Sequence, residues 1–281
     1  MIPKITRNRC QLFTYLRRFD DGAHLFGMSR DIYPELFELA RPHIARKAKS
    51  RKLNENANCW QLWFPPDALE EEDIDNIESW QDRFKRYVLI GLNHHIENHF
   101  YDELDFCLAL DFNYVCPGGA HTPYGGAEYR YKYHHSLPDF SMLQEGLSKA
   151  YGDLPIPAND AVVITHVPAA PGKHNGPREL AKVIAKNLSV DYVDAMLFCD
   201  KSAMKELKID QKIPEWERLY ACPECIELDG DVEGRTVVVI DDLYQSGATM
   251  WCYAKALKKE KDAKYVLGLA CVKSLRDTDN Q

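Results

Sequence analysis

Short runs of apolar, mostly β-branched residues alternate with helix-length amphipathic segments in the C-terminal half of the chain. Four runs predict buried strands: 161–167, 192–198, 237–240 and 265–272. Within 178–188, Leu180, Ile184 and Leu188 recur at fourfold spacing, which predicts an amphipathic crossover helix. A second helix is predicted over 249–259. This alternation predicts an α/β fold with a parallel, Rossmann-like sheet.

The first 120 residues have a different pattern, which predicts a helix-rich N-terminal extension. Residues 76–100 carry apolar side chains at helical spacing, so we expect one long amphipathic helix there. Residues 104–112 alternate in polarity, which predicts a strand with one buried face. A turn-rich segment, 116–126, follows this strand. We therefore expect two regions, 1–120 and 121–281.

Two carboxylates and a run of small residues follow the strand predicted at 237–240. The carboxylates are Asp241 and Asp242, and the later turn residues are Gln245, Ser246, Gly247, Ala248 and Thr249. Small side chains expose backbone N–H groups, so a phosphate can lie at the positive end of the next helix. The carboxylates suit hydroxyl groups or a hydrated cation. The segment therefore predicts a site for a sugar phosphate.

A second loop follows the strand at 161–167 and is rich in glycine and proline. Its residues Ala170, Pro171, Gly172 and Lys173 are small or positively charged, which favours close approach of an anion to the backbone. Lys173 is the expected charge contact, with His174 a weaker one. The alternative is an exposed turn that carries an incidental lysine.

The segment 237–249 resembles the ribose-phosphate signature of the type I phosphoribosyltransferases, which bind 5-phosphoribosyl-1-pyrophosphate (PRPP). That family more often has threonine where this chain has Gln245 and Ser246. The sequences Gly234-Arg235-Thr236 and Tyr131-Lys132-Tyr133 are similar to the ComF-like subgroup in particular. The resemblance implies a phosphoribosyltransferase core, over which residues 1–120 contribute a hood, the variable region that receives the acceptor.

The resemblance also implies roles for these residues. Asp241 and Asp242 would be the catalytic pair, holding the ribose hydroxyls and Mg²⁺. Residues 246–249 would bind the 5-phosphate, with Gln245 as a further substrate-binding residue, and 170–173 would bind the pyrophosphate. The expected reaction is transfer of ribosyl 5-phosphate to an unidentified acceptor, with release of pyrophosphate. A mobile loop over 199–219 would close the site with its cations, for which the candidates are Lys201, Lys205 and Arg218.

Two other functions fit the same pocket. One is a regulator that binds PRPP or a nucleotide without turnover. The other is an effector of a bacterial defence module, such as a retron, that acts with a nucleic-acid-bound partner. The N-terminal region would contact the protein or nucleic-acid partner in either case, and an oligomer is compatible with all three functions.

Composition leads us to expect a cytoplasmic protein. The chain has 281 residues, of which 45% are hydrophobic, and we find no signal peptide and no apolar run long enough to cross a membrane. In that compartment its nine cysteines should be mostly reduced thiols. The formal net charge of -8 argues against a protein that coats nucleic acid.

Three further clusters leave alternatives open. The six cations within 41–52 could contact nucleic-acid phosphates, although a solvated surface is the simpler interpretation. His94, His95 and His99 could include zinc ligands, but the sequence lacks the glutamate of an HExxH motif. Cys222 and Cys225 are either two ordinary thiols, a redox pair or half of a zinc site.

Overall fold

The structure is a computed structural model, and it describes residues 2, 14–30, 32, 34–92, 103–199, 207–220 and 225–276. The strands are β1 (Thr14–Arg18), β2 (His24–Ser29), β3 (Ser50–Asn54), β4 (Cys59–Phe64), β5 (Val88–Leu89), β6 (Phe106–Phe112), β7 (Val162–His166), β8 (Asp191–Tyr192), β9 (Ala195–Leu197), β10 (Ile226–Leu228), β11 (Thr236–Tyr244) and β12 (Tyr265–Lys273). The helices are α1 (Pro34–Ala40), α2 (Pro42–Ala45), α3 (Glu71–Phe84), α4 (Pro123–His134), α5 (Leu137–Tyr151), α6 (Gly176–Leu188), α7 (Ile209–Tyr220) and α8 (Ala248–Lys259).

A six-stranded sheet forms the centre of the chain, in the order β5-β6-β12-β11-β7-β8. Neighbouring strands from β6 to β8 are parallel, and only the short edge strand β5 is antiparallel to its neighbour. The strands predicted at 161–167, 237–240 and 265–272 are present as β7, β11 and β12. The predicted α/β fold with a mostly parallel sheet is therefore confirmed.

The chain leaves the adjacent strands β7 and β11 in opposite directions along the sheet. From β7 it passes through α6 to β8 at one edge, and from β11 it passes through α8 to β12 on the other side. The two helices cover opposite faces, because Leu180 of α6 packs with Ile164 and Val238, whereas Leu257 of α8 packs in a separate cluster with Val163. This reversal creates a crevice at the carboxyl ends of β7 and β11, where open α/β sheets bind ligands.

Two N-terminal predictions need correction. The helix predicted over 76–100 ends at Phe84, because the buried positions lose their helical spacing and every residue from 87 to 92 is buried. Within that run Val88–Leu89 forms β5, which pairs with β6. The strand predicted at 104–112 exists as β6, but its residues 106–110 are all buried, so both faces are covered. Since β6 also pairs with β12, the sheet contains residues from both sides of the expected boundary at residue 120.

Two predictions for the segment after α6 are also only partly correct. The strand expected over 192–198 is divided into β8, which joins the central sheet, and β9, which pairs with β10 in a separate two-stranded sheet. The mobile loop expected over 199–219 contains the helix α7. The missed signal is the set Trp216, Leu219 and Tyr220, which lie on one helical face and are all buried.

The N-terminal region contains the three helices α1, α2 and α3, together with an antiparallel sheet that the sequence analysis did not predict. Its strand order is β1-β2-β4-β3. Phe26 of this sheet packs edge-on against Phe37 of α1 and Trp80 of α3. Such aromatic contacts bury large areas and anchor the sheet to its helices.

Three of the six cations in the basic segment 41–52 are paired with nearby carboxylates. Arg41 Nη2 lies 2.6 Å from Asp153 Oδ1, and Lys47 Nζ lies 2.6 Å from Asp73 Oδ2. Arg51 contacts two glutamates of α1, at 3.2 and 3.0 Å. These contacts favour a structural surface over a phosphate-binding patch for this segment.

The cysteines differ in part from the expectation of reduced thiols. Cys225 forms a disulfide with Cys199, so its sulfur is not available as a zinc thiolate, and Cys222 lies outside the described residues. The other described cysteines keep their thiol groups: Cys59, Cys107, Cys116, Cys252 and Cys271. The histidines at 94, 95 and 99 also lie outside the described residues. Among the helices that the structure describes, none is long and apolar enough to span a bilayer.

Candidate functional site

A cavity of about 930 Å³ lies at the carboxyl ends of β7 and β11, where the fold creates its crevice. Its walls come from the β7–α6 loop, the β11–α8 loop and the helices α4 and α7. The volume falls in the range of small-molecule sites. The two loops singled out from the sequence therefore meet in one cavity.

The β11–α8 loop is fixed by steric packing. Gly247 has a φ of 88°, and an added Cβ there would lie 2.1 Å from the Tyr244 hydroxyl oxygen. Tyr244 cannot move aside easily, because it is 1% exposed and accepts a hydrogen bond of 2.9 Å from Trp251 Nε1. Only glycine satisfies both the left-handed backbone and this contact.

The same loop presents the N-terminus of α8 to the cavity. Ser246, Gly247, Ala248 and Thr249 all line the cavity, and Gln245 lines it as well. Gly247 is the N-cap, no side chain caps the helix, and its first turn has no acidic residue. The positive end of α8 is therefore suited to an anion.

The acidic pair lies in the C-terminal half of β11 and on the cavity wall. The Asp242 backbone N–H donates to Asp241 Oδ1 at 2.9 Å. Lys132 of α4, 110 residues earlier, donates from Nζ to Asp242 Oδ2 at 2.6 Å. Glu128 lies 3.6 Å from the same ammonium. Burial opposes the charge of Lys132, but the carboxylates of Asp242, Glu128 and Asp241 raise its pKa above the ordinary value, so it remains a cation at neutral pH.

The β7–α6 loop is more open than the β11–α8 loop. Ala170 and Lys173 line the cavity, whereas Pro171 and Gly172 are exposed and do not. The Lys173 side chain is exposed, and its backbone N–H donates to the Ala170 carbonyl at 3.1 Å. Asn175 caps α6 by accepting from the Arg178 N–H at 3.0 Å. One of the N–H groups of α6 is therefore already satisfied, and the exposed ammonium group of Lys173 is the main attraction for an anion here.

An ionic network anchors the β7 side of the cavity. Arg178 Nε donates to Asp194 at 2.9 and 3.0 Å, and the Tyr192 hydroxyl donates to Asp194 Oδ1 at 2.9 Å. Burial opposes ionisation of Asp194, but these contacts and Lys182 lower its pKa to about 2. His166, the last residue of β7, lies 3.7 Å from Asp194 Oδ1. Burial nevertheless lowers the pKa of His166 to about 4, so the ring is neutral near pH 7 and this contact is not an ion pair.

Helix α7 covers the β11–α8 loop from the side, where the sequence predicted a mobile loop. Trp216 Nε1 donates to Thr249 Oγ1 at 3.0 Å, so the Thr249 hydroxyl is held by α7. Lys212 also lines the cavity and is 8% exposed. Arg218, a predicted closing cation, pairs with Glu215 and does not line the cavity. The other two candidates, Lys201 and Lys205, lie outside the described residues.

Helix α4 forms the wall where the sequence analysis expected the N-terminal hood. The cavity residues of this helix are Glu128, Tyr131 and Lys132. Tyr131 donates from its hydroxyl to Glu179 of α6. Within the described parts of residues 1–120, no side chain lines the cavity, so a hood formed by this region stays a prediction. The family resemblance drew attention to Tyr131 and Lys132, but no sequence signal indicated the pairing of Lys132 with Asp242.

The carboxylates of Asp241 and Asp242 are suited to Mg²⁺ only if the phosphates of a bound substrate complete its coordination. Within the described ranges, no group of three or more His, Cys, Asp and Glu side chains is placed to hold a metal ion. Mg²⁺ commonly binds through one or two carboxylates, several waters and the phosphates of a substrate. Asp241 and Asp242 are carboxylates of the kind that such a minimal set requires.

Comparison with known proteins gives structural likenesses alone. No protein-family model matches the chain, and no curated protein matches it. The phosphoribosylpyrophosphate synthetase of Mycobacterium smegmatis is 19% identical over 50% of this chain and 35% of its own, with a TM-score of 0.29. A hypoxanthine phosphoribosyltransferase of Staphylococcus aureus is 10% identical over 56% of this chain and 68% of its own, with a TM-score of 0.29. A purine phosphoribosyltransferase of Pyrococcus horikoshii Ot3 is 12% identical over 52% of this chain and 86% of its own, with a TM-score of 0.31.

The matched part spans about a third of the length of the synthetase. Each likeness covers about half of this chain at low identity. The chemistry of the cavity therefore has to be judged from its own residues. The chain is an α/β protein with a mostly parallel sheet, and its structural neighbours include phosphoribosyltransferases.

Proposed function

We propose that the cavity binds PRPP with Mg²⁺ and that the protein transfers ribosyl 5-phosphate to an acceptor with release of pyrophosphate. The observation that carries this proposal is the meeting of three features in one cavity: the uncapped, glycine-shaped start of α8, the acidic pair of β11 and the lysine-bearing β7–α6 loop. A ligand with a phosphate at each end and hydroxyl groups between them matches that order. ComF-like membership is part of the same proposal.

Each part of the cavity then has one task. The turn from Gln245 to Thr249 binds the 5-phosphate, Asp241 and Asp242 hold the ribose hydroxyls, and the loop from Ala170 to Lys173 binds the pyrophosphate. Holding both ends of the sugar positions the anomeric carbon for attack by the acceptor.

Electrostatics favour this reaction in the cavity. Positive charge develops on the ribose as pyrophosphate leaves, and the carboxylates of β11 stabilise it. Lys132, Lys173 and Lys212 line the cavity and supply the positive charge that the departing pyrophosphate requires. Mg²⁺, when bound, neutralises phosphate oxygens, and Asp241 and Asp242 would be its protein ligands.

Calorimetric titration with PRPP and Mg²⁺ tests the binding site. We expect the wild type to bind and the double variant Asp241→Asn/Asp242→Asn to lose binding while it remains folded by circular dichroism. The matched control is Glu71→Gln/Glu72→Gln, an adjacent acidic pair on the exposed start of α3, which should bind like the wild type. Equal affinity of the Asp241/Asp242 variant would refute the assignment.

Turnover is tested separately by the release of pyrophosphate in the presence of PRPP and candidate acceptors. Release that depends on one acceptor and is abolished in the Asp241→Asn/Asp242→Asn variant would establish a transferase. Tight binding of PRPP without release under any acceptor would contradict the transferase proposal.

A second candidate function is a regulator that binds PRPP or a nucleotide without turnover. The contact of 2.6 Å between Lys132 and Asp242 favours it, because this ion pair occupies a carboxylate that a transferase needs for its substrate. Binding that shifts a partner interaction without releasing pyrophosphate would support this function. The defence-effector role, the cytoplasmic location and the oligomeric state stay predictions.

A further inference from the structure

A buried lysine contacts the β11–α8 loop from the side of the sheet. Lys273 is the last residue of β12 and is 2% exposed. It pairs in register with Tyr244 of β11 and with Phe112 of β6, and its carbonyl accepts a hydrogen bond of 2.9 Å from the Asn113 N–H. The backbone of Lys273 is thus held by both neighbouring strands at the end of the sheet where the cavity lies.

The ammonium group of Lys273 is bound to the backbone of this loop. Its Nζ donates to the Gln245 carbonyl at 2.7 Å and to the Ser274 carbonyl at 3.1 Å. It also lies 5.7 Å from the centroid of the Tyr244 ring. Lysines are rarely buried, because an ammonium group loses its hydration unless hydrogen bonds replace it. The contact with Gln245 therefore fixes both the lysine and the carbonyl that it binds.

This hydrogen bond sets the direction of the peptide between Gln245 and Ser246. The peptide is trans, since the described residues contain no cis peptide bond. In a trans peptide, the carbonyl and the following N–H point in opposite directions. Gln245 and Ser246 line the cavity, whereas Lys273 does not. A carbonyl that points to Lys273 therefore directs the Ser246 N–H towards the cavity.

The Ser246 N–H adjoins the N-terminus of α8. The next residue, Gly247, is the N-cap of this helix and has a φ of 88°. Successive N–H groups around such a left-handed residue form a concave site for an anion, and the positive end of the helix dipole favours the same charge. The direction of the Ser246 N–H thus decides whether this group adds to the anion site or turns away from it.

We propose that Lys273 is a positioning residue of this anion site. Its ammonium group holds the Gln245 carbonyl away from the cavity, so that the Ser246 N–H donates to a phosphate monoester at the start of α8. Without the lysine, the peptide can turn its carbonyl oxygen towards the phosphate, which repels it. The inference rests on the phosphate site of the proposed function, but it requires neither transfer nor binding of pyrophosphate.

Nuclear magnetic resonance of the ¹⁵N-labelled protein, titrated with inorganic phosphate and with ribose 5-phosphate, tests this proposal. In the wild type, both ligands should move the Ser246 amide proton downfield, as a new hydrogen bond to an anion does. Lys273→Met should lower both affinities about tenfold and abolish this shift, because a hydrogen bond from a charged donor is lost. Lys273→Arg keeps the charge and the donors, so it should bind more tightly than Lys273→Met.

The matched control is Lys264→Met, which removes an exposed lysine that pairs with Asp160 just before the other end of β12. It should bind both ligands like the wild type. Lys273→Met should keep the wild-type affinity for Mg-pyrophosphate, because the proposed function places that ligand on the β7–α6 loop. A general loss of structure would instead lower the affinity for every ligand, together with the melting temperature.

Three results would overturn the role of Lys273: wild-type protein that binds no phosphate, phosphate binding without a shift of the Ser246 amide, or equal affinities of Lys273→Met and the wild type for ribose 5-phosphate. The second result needs no variant, so it decides the question even if Lys273→Met does not fold. A Ser246 shift with phosphate in a protein that binds neither PRPP nor pyrophosphate would refute the proposed function and still support the role of Lys273.

Discussion

The two loops that form the cavity are held in place by different forces. Steric packing fixes the β11–α8 loop, because Gly247 lies against the buried Tyr244, which is itself held by Trp251. Charges and hydrogen bonds fix the start of α6 after the β7–α6 loop, through Arg178 and Asp194. The backbone of the β11–α8 loop is thus held in one conformation by packing. The β7–α6 loop carries the exposed Lys173 and is followed by a helix that is held by an ion pair.

This difference predicts unequal sensitivity of the two loops to substitution, pH and salt. Packing is little affected by pH or ionic strength, but exposed charges are screened by salt and charged networks respond to protonation. In the proposed complex, binding of a phosphate at the β11–α8 loop should therefore depend less on pH and salt than binding at the β7–α6 loop.

Gly247→Ala should have the largest effect. The φ of 88° disfavours any residue with a Cβ by about 1–2 kcal/mol, and the contact with Tyr244 adds to that cost. We expect the affinity for PRPP to fall about 100-fold, or about 2.7 kcal/mol, in a calorimetric titration. Gly172→Ala is the matched control, because Gly172 also has a positive φ, of 71°, but its added Cβ meets no atom within 4 Å. Equal losses in the two variants would contradict the steric account.

Acid should lower the free energy of unfolding, because His166 of β7 is buried in its neutral form. Its pKa of about 4 in the folded protein lies below the ordinary value of 6.5, so the unfolded chain takes up the proton first as the pH falls. The free energy of unfolding should therefore decrease between about pH 6.5 and pH 4, by up to about 2.5 kcal/mol. Urea denaturation across this range measures the free energy of unfolding, and His166→Asn should remove most of its dependence on pH.

The control for this prediction is His135→Asn, which changes an exposed histidine. This variant should show the same change in the free energy of unfolding with pH as the wild type. Asp194, whose pKa is lowered to about 2, should contribute its own loss only below about pH 4. A wild-type protein with constant stability from pH 6.5 to pH 4 would contradict the buried, neutral state of His166.

Lys132→Met should lower the affinity for PRPP about tenfold, or about 1.4 kcal/mol, because the cavity loses a cation while both carboxylates remain. Calorimetry with PRPP and Mg²⁺ measures the change. Lys149→Met, which removes an exposed lysine that pairs with Glu145 on α5, is the matched control. An increase in affinity would instead mean that Lys132 competes with the ligand for Asp242, as a regulator would require.

Lys173→Ala should have the smallest effect, about threefold in affinity, since an exposed charge contributes little. The loss should be greatest at low salt and should nearly vanish at high salt, because screening removes the contribution of this lysine. Titrations at the two salt concentrations test this. A loss that persists at high salt would place Lys173 in a desolvated contact that the structure does not show.

The sequence predicts those parts of this molecule whose signals are local. The β-branched run of β11 and the fourfold spacing of α6 identified their elements because each pattern is complete within a few residues. Gly247 was expected in an anion-binding turn, and the structure supplies the additional steric reason for glycine.

The parts that could not be predicted depend on contacts distant in sequence. Lys132 and Asp242 are 110 residues apart, and nothing near either residue indicates their pairing. Val88–Leu89 continues a helix-like pattern, but it pairs with β6, so sheet formation overrides helical spacing. Helix α7 was not predicted, because its few apolar residues occur among charged ones. Its contact with the cavity loop is a hydrogen bond from Trp216 to Thr249, which no local pattern indicates.

Calorimetry with the two halves of PRPP tests most directly whether the two loops bind opposite ends of one ligand. Ribose 5-phosphate and Mg-pyrophosphate should bind together without competing. Binding of ribose 5-phosphate should be lost in Gly247→Ala and unchanged in Lys173→Ala. Binding of pyrophosphate should be unchanged in Gly247→Ala and about threefold weaker at low salt in Lys173→Ala. Competition between the halves, or equal responses of both to both variants, would contradict the account.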